Sequence, residues 1–315
     1  MSTLFPIPVI DLNDFKGQDP VLKSDFVNEL GHAFEEIGFV ALKNHGLTNK
    51  LVDQIYFQSK SFFDLPLKIK KKYEIKDLAG QRGYTSFGVE HSKGSSVGDL
   101  KEFWHFGQET KFGDNTYPPN LIVSELPEFN SIGMQVYKAL ENTGKYLLRA
   151  IALYLNLDEY YFDDKLVNGN SILRPIHYSP ILNKPNNAIR AGEHEDINLI
   201  TLLMGASADG LEILNKKSEW IPVTALPDQI VVNVGDMLEM LTNNKLRSTT
   251  HRVANPPPEK WHLSRYSIPF FMHPCMDMSL ACLPQCIDED HPKQFEDKTA
   301  GEFLNERLLE IGLKS

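Results

Sequence analysis

From Leu173 onward the chain is a succession of short apolar runs: "LRPIHY", "AIRAG", "INLITLLM", "LEIL", "EWIPV", "QIVVNVG", "THRVA" and "SRYSIPFFM". Stretches such as "ADG", "LPD" and "NPPPEK" punctuate them. This recurrence is that of an all-β sandwich or barrel, so the C-terminal half is expected to be a double-sheet domain. The N-terminal half has a different texture. Leu22, Phe26, Leu30 and Phe34 recur every four positions between Val21 and Ile37, the stripe of an amphipathic helix. Further helices are expected over Asn49–Phe63, from about Ile132 to Leu155, and over Thr299–Leu313, the last packed on the outside. "IPVIDL" and "GFVALKNHG" read as strands. The expectation is an α+β fold dominated by β, with a helical N-terminal region and outer helices.

At 315 residues the chain can bury one large core or two small ones. Its 32 Lys and Arg against 42 Asp and Glu give a net charge of −10, which argues against a grip on nucleic acid phosphates. The basic run "KIKKKY" at Lys68–Tyr73 is short and reads as a solvated helix face rather than a membrane contact. No window approaches the ~18 apolar residues of a membrane span, and "MSTLFPIPVIDL" lacks the pattern of a signal peptide. Cys275, Cys282 and Cys286 form neither a CxxC pair nor an even-numbered disulfide framework, so a cytoplasmic location is expected.

One segment carries more polarity than a buried strand needs. In "AGEHEDINLITLLM" (Ala191–Met204), His194 and Asp196 stand two apart, and in a strand they would share a face. His251, in "STTHRVANPPP", is the best third partner. Two imidazoles and a carboxylate form the facial triad associated with non-haem Fe(II), although zinc accepts the same ligand types. In "SRYSIPFF", Arg265 and Ser267 also stand two apart, a bidentate grip for a carboxylate. Arg174 and Tyr178 share a face if "LRPIHY" is extended. These groups suggest an anionic small molecule held beside a metal. The long segment Ala79–Gly107 has neither phosphate-binding motif and reads as a loop; within it Tyr84 and Phe87 are candidate substrate contacts.

The chain resembles the iron(II)- and 2-oxoglutarate-dependent dioxygenases of the isopenicillin N synthase-like group. "IPVIDL", "AFEEIGFVALKNHGL" and "SFFDLPLKIKKKY" are similar to that group's N-terminal signature. "GEHEDINLITLLM", "GLEIL", the stretch Trp220–Val253 and "RYSIPFFMHP" are similar to its catalytic core. The resemblance implies a double-stranded β-helix, or jelly roll, with an N-terminal region over 1–120 and a catalytic core over 121–315. It implies His194, Asp196 and His251 as iron ligands and Arg265 and Ser267 as the hold on 2-oxoglutarate, helped by Tyr178. Arg174 is grouped with them, although co-substrate, substrate or structure would each explain it. The group's frequent R-x-N-x-Y-P stands here as Arg174-Pro175-Ile176-His177-Tyr178-Ser179, so an Asn near the co-substrate is replaced by Ile176. Asn233 matches a common position and is expected to have no direct role.

The implied reaction couples decarboxylation of 2-oxoglutarate, with O2, to oxidation of a small molecule, most often hydroxylation, with ascorbate as a stimulant. Several inward arginines would suit a substrate bearing a carboxylate. The expected state is monomer or homodimer. Three other readings remain: an isopenicillin N synthase-like iron oxidase that needs no 2-oxoglutarate, a zinc hydrolase, and a ligand-binding jelly roll with structural histidines.

Overall fold

The computed structural model describes residues 7–75, 81–90, 98–109, 117–182, 188–205, 210–223, 226 and 228–310. Strand β1 (Val9–Asp11) leads through the single-turn α1 (Leu12–Lys16) into α2 (Pro20–Glu36). Asp19 fixes the start of α2 by accepting the Val21 N–H at 2.9 Å, and Pro20 occupies a first-turn position that needs no N–H. Phe26, Leu30 and Phe34 are buried as their spacing predicts, whereas Leu22 is 45% exposed, so the apolar stripe begins one turn later. The helix ends at Gly38, whose φ of +76° is favourable only for glycine. A Cβ there would lie 2.3 Å from the Arg247 carbonyl and 2.6 Å from Thr249 Oγ1. Glycine therefore lets this turn press against the segment leading to His251.

Next come β2 (Phe39–Lys43), α3 (Asn49–Phe63), capped by Thr48, and α4 (Leu67–Lys70). Part of the expected Ala79–Gly107 loop is strand instead: β3 (Gly83–Thr85) pairs antiparallel with β4 (Glu102–Gly107). β4 is buried along its whole length, which its aromatic content favours. Residues 79, 80 and 91–97 of that segment lie outside the described residues. Helix α5 (Pro127–Tyr154) starts one turn before the expected point and buries Val136, Leu140, Leu147 and Ile151.

The remaining strands are β5 (Ile172–Leu173), β6 (Ile176–Tyr178), β7 (Ala191–His194), β8 (Ile200–Met204), β9 (Leu211–Leu214), β10 (Trp220–Pro222), β11 (Gln229–Val234), β12 (His251–Val253) and β13 (Arg265–Met272). They form a sandwich. The larger sheet has the order β1-β2-β11-β8-β13-β5-β4-β3, with β6 bridging β13 and β4; the smaller has the order β10-β9-β12-β7. All pairs are antiparallel except β1 with β2. Phe39, Ala41 and Val231 of the larger sheet pack on Leu211 and Ile213 of the smaller. β11 reads as an unbroken apolar run because both its faces are covered. Short α6 (Asp236–Leu241) follows it, and α7 (Ala300–Glu310) begins with a reciprocal cap between Thr299 and Glu302. The expected end of that last helix, residues 311–313, lies outside the described residues. No helix among the described residues is long and apolar enough to cross a membrane.

Helix α5 reaches β4 through Gly133, where a Cβ would come within 2.4 Å of the Phe106 ring. That ring is held between Trp104 and Phe129 and has nowhere to move. Gly133→Val is therefore expected to destabilise the fold by about 1–3 kcal/mol, despite removing a helical glycine. Urea denaturation measures this, and a variant as stable as the parent would show the contact to be slack.

Candidate active site

Antiparallel pairing of β12 with β7 sets His251 directly opposite His194. Their ring centroids are 4.4 Å apart, and His251 Nε2 lies 3.8 Å from Asp196 Oδ1. One ligand atom from each of the three residues lies within 4.8 Å of the others, which leaves room for one ion roughly 2 Å from each. The imidazoles are oriented by carbonyls: His194 Nδ1 donates to Gly192 at 2.7 Å and His251 Nδ1 to Thr249 at 3.1 Å. A carbonyl only accepts, so each Nδ1 carries the proton and each Nε2 keeps its lone pair for a metal. The ring of Phe39, next to Gly38, meets His251 edge-on at 5.6 Å.

Asp196 reaches the site differently from the expectation. β7 stops at His194, so strand alternation does not aim the carboxylate; the chain is already turning from the smaller sheet towards β8 in the larger. Its direction comes from hydrogen bonds to Oδ2, donated by Thr201 Oγ1 at 2.6 Å and Asn233 Nδ2 at 2.8 Å. Oδ1 is left facing the histidines. Asn233, expected to have no direct role, thus orients the carboxylate, as does Thr201. Neither stood out in the sequence, because only the packing of β8 beside β11 brings them to residue 196.

Electrostatics prepare the same three groups. Burial, reinforced by His251, pushes the His194 imidazole down to about 4, so it stays neutral as a metal ligand must. Burial raises the Asp196 carboxyl, but the two imidazoles and the bonds from Asn233 and Thr201 outweigh it, and the group is held below its ordinary value.

The triad opens into a cavity of roughly 310 Å3 between the sheets. Arg265, Ser267 and Tyr178 line it and are all buried. β13 pairs with β6 so that Arg265 faces Tyr178 and Ser267 faces Ile176, and the guanidinium stands 4.9 Å from the Tyr178 ring centre. Arg174 lines the cavity further along, where its N–H donates to Pro269. Its charge is matched by Glu90 at 3.1 Å, and Glu90 also takes Lys101 at 2.7 Å. Arg174 further bonds His105 and lies over the rings of Phe103 and Phe271.

Two expected substrate contacts lie elsewhere. Tyr84 is 1% exposed, bonds Glu102 within the core and does not line the cavity, because its strand turns it towards Phe62 and Lys70. Phe87 is 41% exposed, stands near His177 on the outer side and is likewise absent from the wall. Residues that sequence reasoning passed over take their place. Glu90, Lys101, Asn170 and His273 line the cavity, as do Leu304, Arg307 and Leu308 of α7. Two of them had a readable signal: His273 continues the alternation of Arg265 and Ser267, and Asn170 that of Tyr178 and Arg174.

Comparison with known proteins agrees with this geometry. Residues 169–274 match the family model of the 2OG-Fe(II) oxygenase superfamily, and residues 7–125 match that of the non-haem dioxygenase in morphine synthesis N-terminal region. A 2-oxoglutarate-Fe(II) type oxidoreductase of Aspergillus fumigatus is 30% identical over 96% of this chain and 92% of its own. A 2OG-Fe(II) oxygenase family protein from Caulobacter crescentus superposes with a TM-score of 0.86 at 41% identity, covering 97% of this chain and 99% of its own. A full-length Neurospora crassa protein, solved with α-ketoglutarate and also with α-ketoglutarate and thymine, superposes at 0.85; the first of these structures is 30% identical and covers 96% of both chains. The chain belongs to the 2OG-Fe(II) oxygenase superfamily. It is an oxidoreductase that uses Fe(II) and 2-oxoglutarate, and the sandwich is the jelly roll of that family.

Two outcomes are expected. Asn233→Leu should lower Fe(II) affinity by about 10- to 100-fold with the fold intact, read by metal titration; unchanged affinity would make Asn233 a bystander. The metal-free protein should lose stability as pH falls from 6.5 towards 4. There the unfolded chain takes up protons that the buried His194 and His273, both held near 4, refuse. Melting curves that do not shift across that interval would contradict neutral, buried imidazoles.

Proposed function

We propose that His194, Asp196 and His251 hold the Fe(II), and that Arg265 and Ser267 grip the distal carboxylate of 2-oxoglutarate beside Tyr178. The observation that carries this reading is the shared cavity, with the three ligands at its centre and a buried guanidinium and hydroxyl projecting from alternate positions of β13. Fe(II) with 2-oxoglutarate and O2 supplies the oxidising power, ending in succinate, CO2 and an oxidised, typically hydroxylated, substrate. The chain's own work is to orient and to exclude water. Carbonyls hold the imidazoles, Thr201 and Asn233 hold Asp196, and the apolar inner faces keep bulk water from the reacting C–H bond.

Residues 121–315 act as the catalytic core in this reading, and residues 1–120 close it, adding strands at both ends of the larger sheet. The substrate is a small molecule, as is the thymine bound to the Neurospora relative. The carboxylate expected on it is matched by 2-oxoglutarate instead, because Arg174 is already paired with Glu90. Three free thiols suit a reducing cytoplasm.

Succinate release from 2-oxoglutarate under air, with Fe(II) and ascorbate, tests the reading. The native protein should show slow uncoupled turnover, and His194→Ala should abolish it. Arg265→Gln should raise the KM for 2-oxoglutarate by about 10- to 100-fold with a smaller change in kcat, through loss of charge-assisted bonds. If 2-oxoglutarate neither binds anaerobically nor turns over, the cavity serves an oxidase that works without it.

A further inference from the structure

The cavity wall formed by β13 and the facing segment Asn170–Tyr178 has two chemically different ends. Alternate residues of each segment face inward: Arg265 is opposite Tyr178 at one end, Phe271 opposite Ile172 near the other, and His273 lies beside Asn170 beyond them. Arg265 and His273 stand eight residues apart, roughly 25 Å along an extended strand. A five-carbon diacid gripped by Arg265 does not reach that far, so the other end is left to a second molecule.

That far end is polar and built to be filled. Asn170 is 2% exposed and His273 8%. Asn170 Nδ2 donates to Gln81 Oε1, but Asn170 Oδ1 and His273 Nδ1 have no hydrogen-bond partner among the described residues. Buried polar atoms are almost always partnered, so two at one end of a cavity point to a ligand that completes them. The chemistry of that ligand can be read from its surroundings. Burial pushes His273 down to about 4, and it is neutral. The lining cations beyond Arg265 already hold carboxylates: Lys101 has Glu90 and Asp99, Arg174 has Glu90, and Arg307 has Asp236. An anionic substrate would have to displace one of these pairs. Asn170 Oδ1 only accepts, so its partner must donate.

We propose that Asn170 and His273 anchor the substrate to be oxidised, and that the group they take is an uncharged amide or lactam. Its N–H donates to Asn170 Oδ1 and its carbonyl accepts from His273 Nδ1. This rests on the assignment of Arg265 to 2-oxoglutarate made above and adds the class of the second substrate.

The test uses three probes of similar size: δ-valerolactam, N-methyl-δ-valerolactam and pentanoate. Binding is read by calorimetry under nitrogen with Fe(II) and 2-oxoglutarate present, and coupling by the rise in succinate release in air. The lactam should bind and raise succinate release, its N-methyl derivative should bind about tenfold more weakly, and pentanoate should do neither. Asn170→Leu should raise the lactam's dissociation constant about tenfold and erase its advantage over the N-methyl compound. If that variant does not fold, judged by its melting curve, His273→Phe carries the same expectation for lactam affinity. Pentanoate binding more tightly than the lactam, no binding by any probe, or full discrimination retained in the folded variant would overturn the proposal. Failure of the earlier reading is distinct: 2-oxoglutarate itself would then neither bind nor turn over without any probe.

Discussion

The pairing of β12 with β7 is the constraint on which the site depends. It sets His251 opposite His194, and because side chains alternate along a strand, a slip of one residue would turn one imidazole out of the cavity. Much of the surrounding structure serves to hold that register. Gly38 lets the N-terminal turn approach Arg247 and Thr249, Phe39 braces the His251 ring, and Asp99 accepts the N–H of Gly192, whose carbonyl orients His194. Distant parts of the chain thus converge on one pair of rings.

A second constraint is the handling of charge inside the sandwich. Glu90, Asp99, Lys101 and Arg174 would each be costly to bury alone, and they are buried as a connected set with matched signs. One wall of the cavity therefore carries strong dipoles but little net charge. Arg265 meets the ring of Tyr178 at the other end, where an anion is needed. A diacid and an uncharged partner can occupy one cavity without competing for the same groups.

The triad and the Arg265–Ser267 pair were legible because such residues are rare in runs that otherwise read as buried strand. The route by which Asp196 arrives was not. Its strand ends two residues early, and the carboxylate is aimed by Thr201 and Asn233, which approach it only when β8 and β11 lie side by side. The aromatic stretch misled in a related way. Tyr84 and Phe87 looked like pocket walls because their segment looked like a loop, but β3 and β4 turn Tyr84 into the core and leave Phe87 outside.

Residue type and local spacing by themselves determined which atoms could bind a metal or a carboxylate, which helices would carry an apolar face, and that the second half would be sheet. Those properties depend on chemistry and on periods of two and 3.6 residues, which are local. Only the tertiary structure decided that Lys101 would neutralise Glu90, that α7 would line the cavity, and that Asn170 and His273 would meet at its far end. Each of these depends on contacts between distant segments, and a buried polar atom acquires or lacks a partner only once those segments have packed.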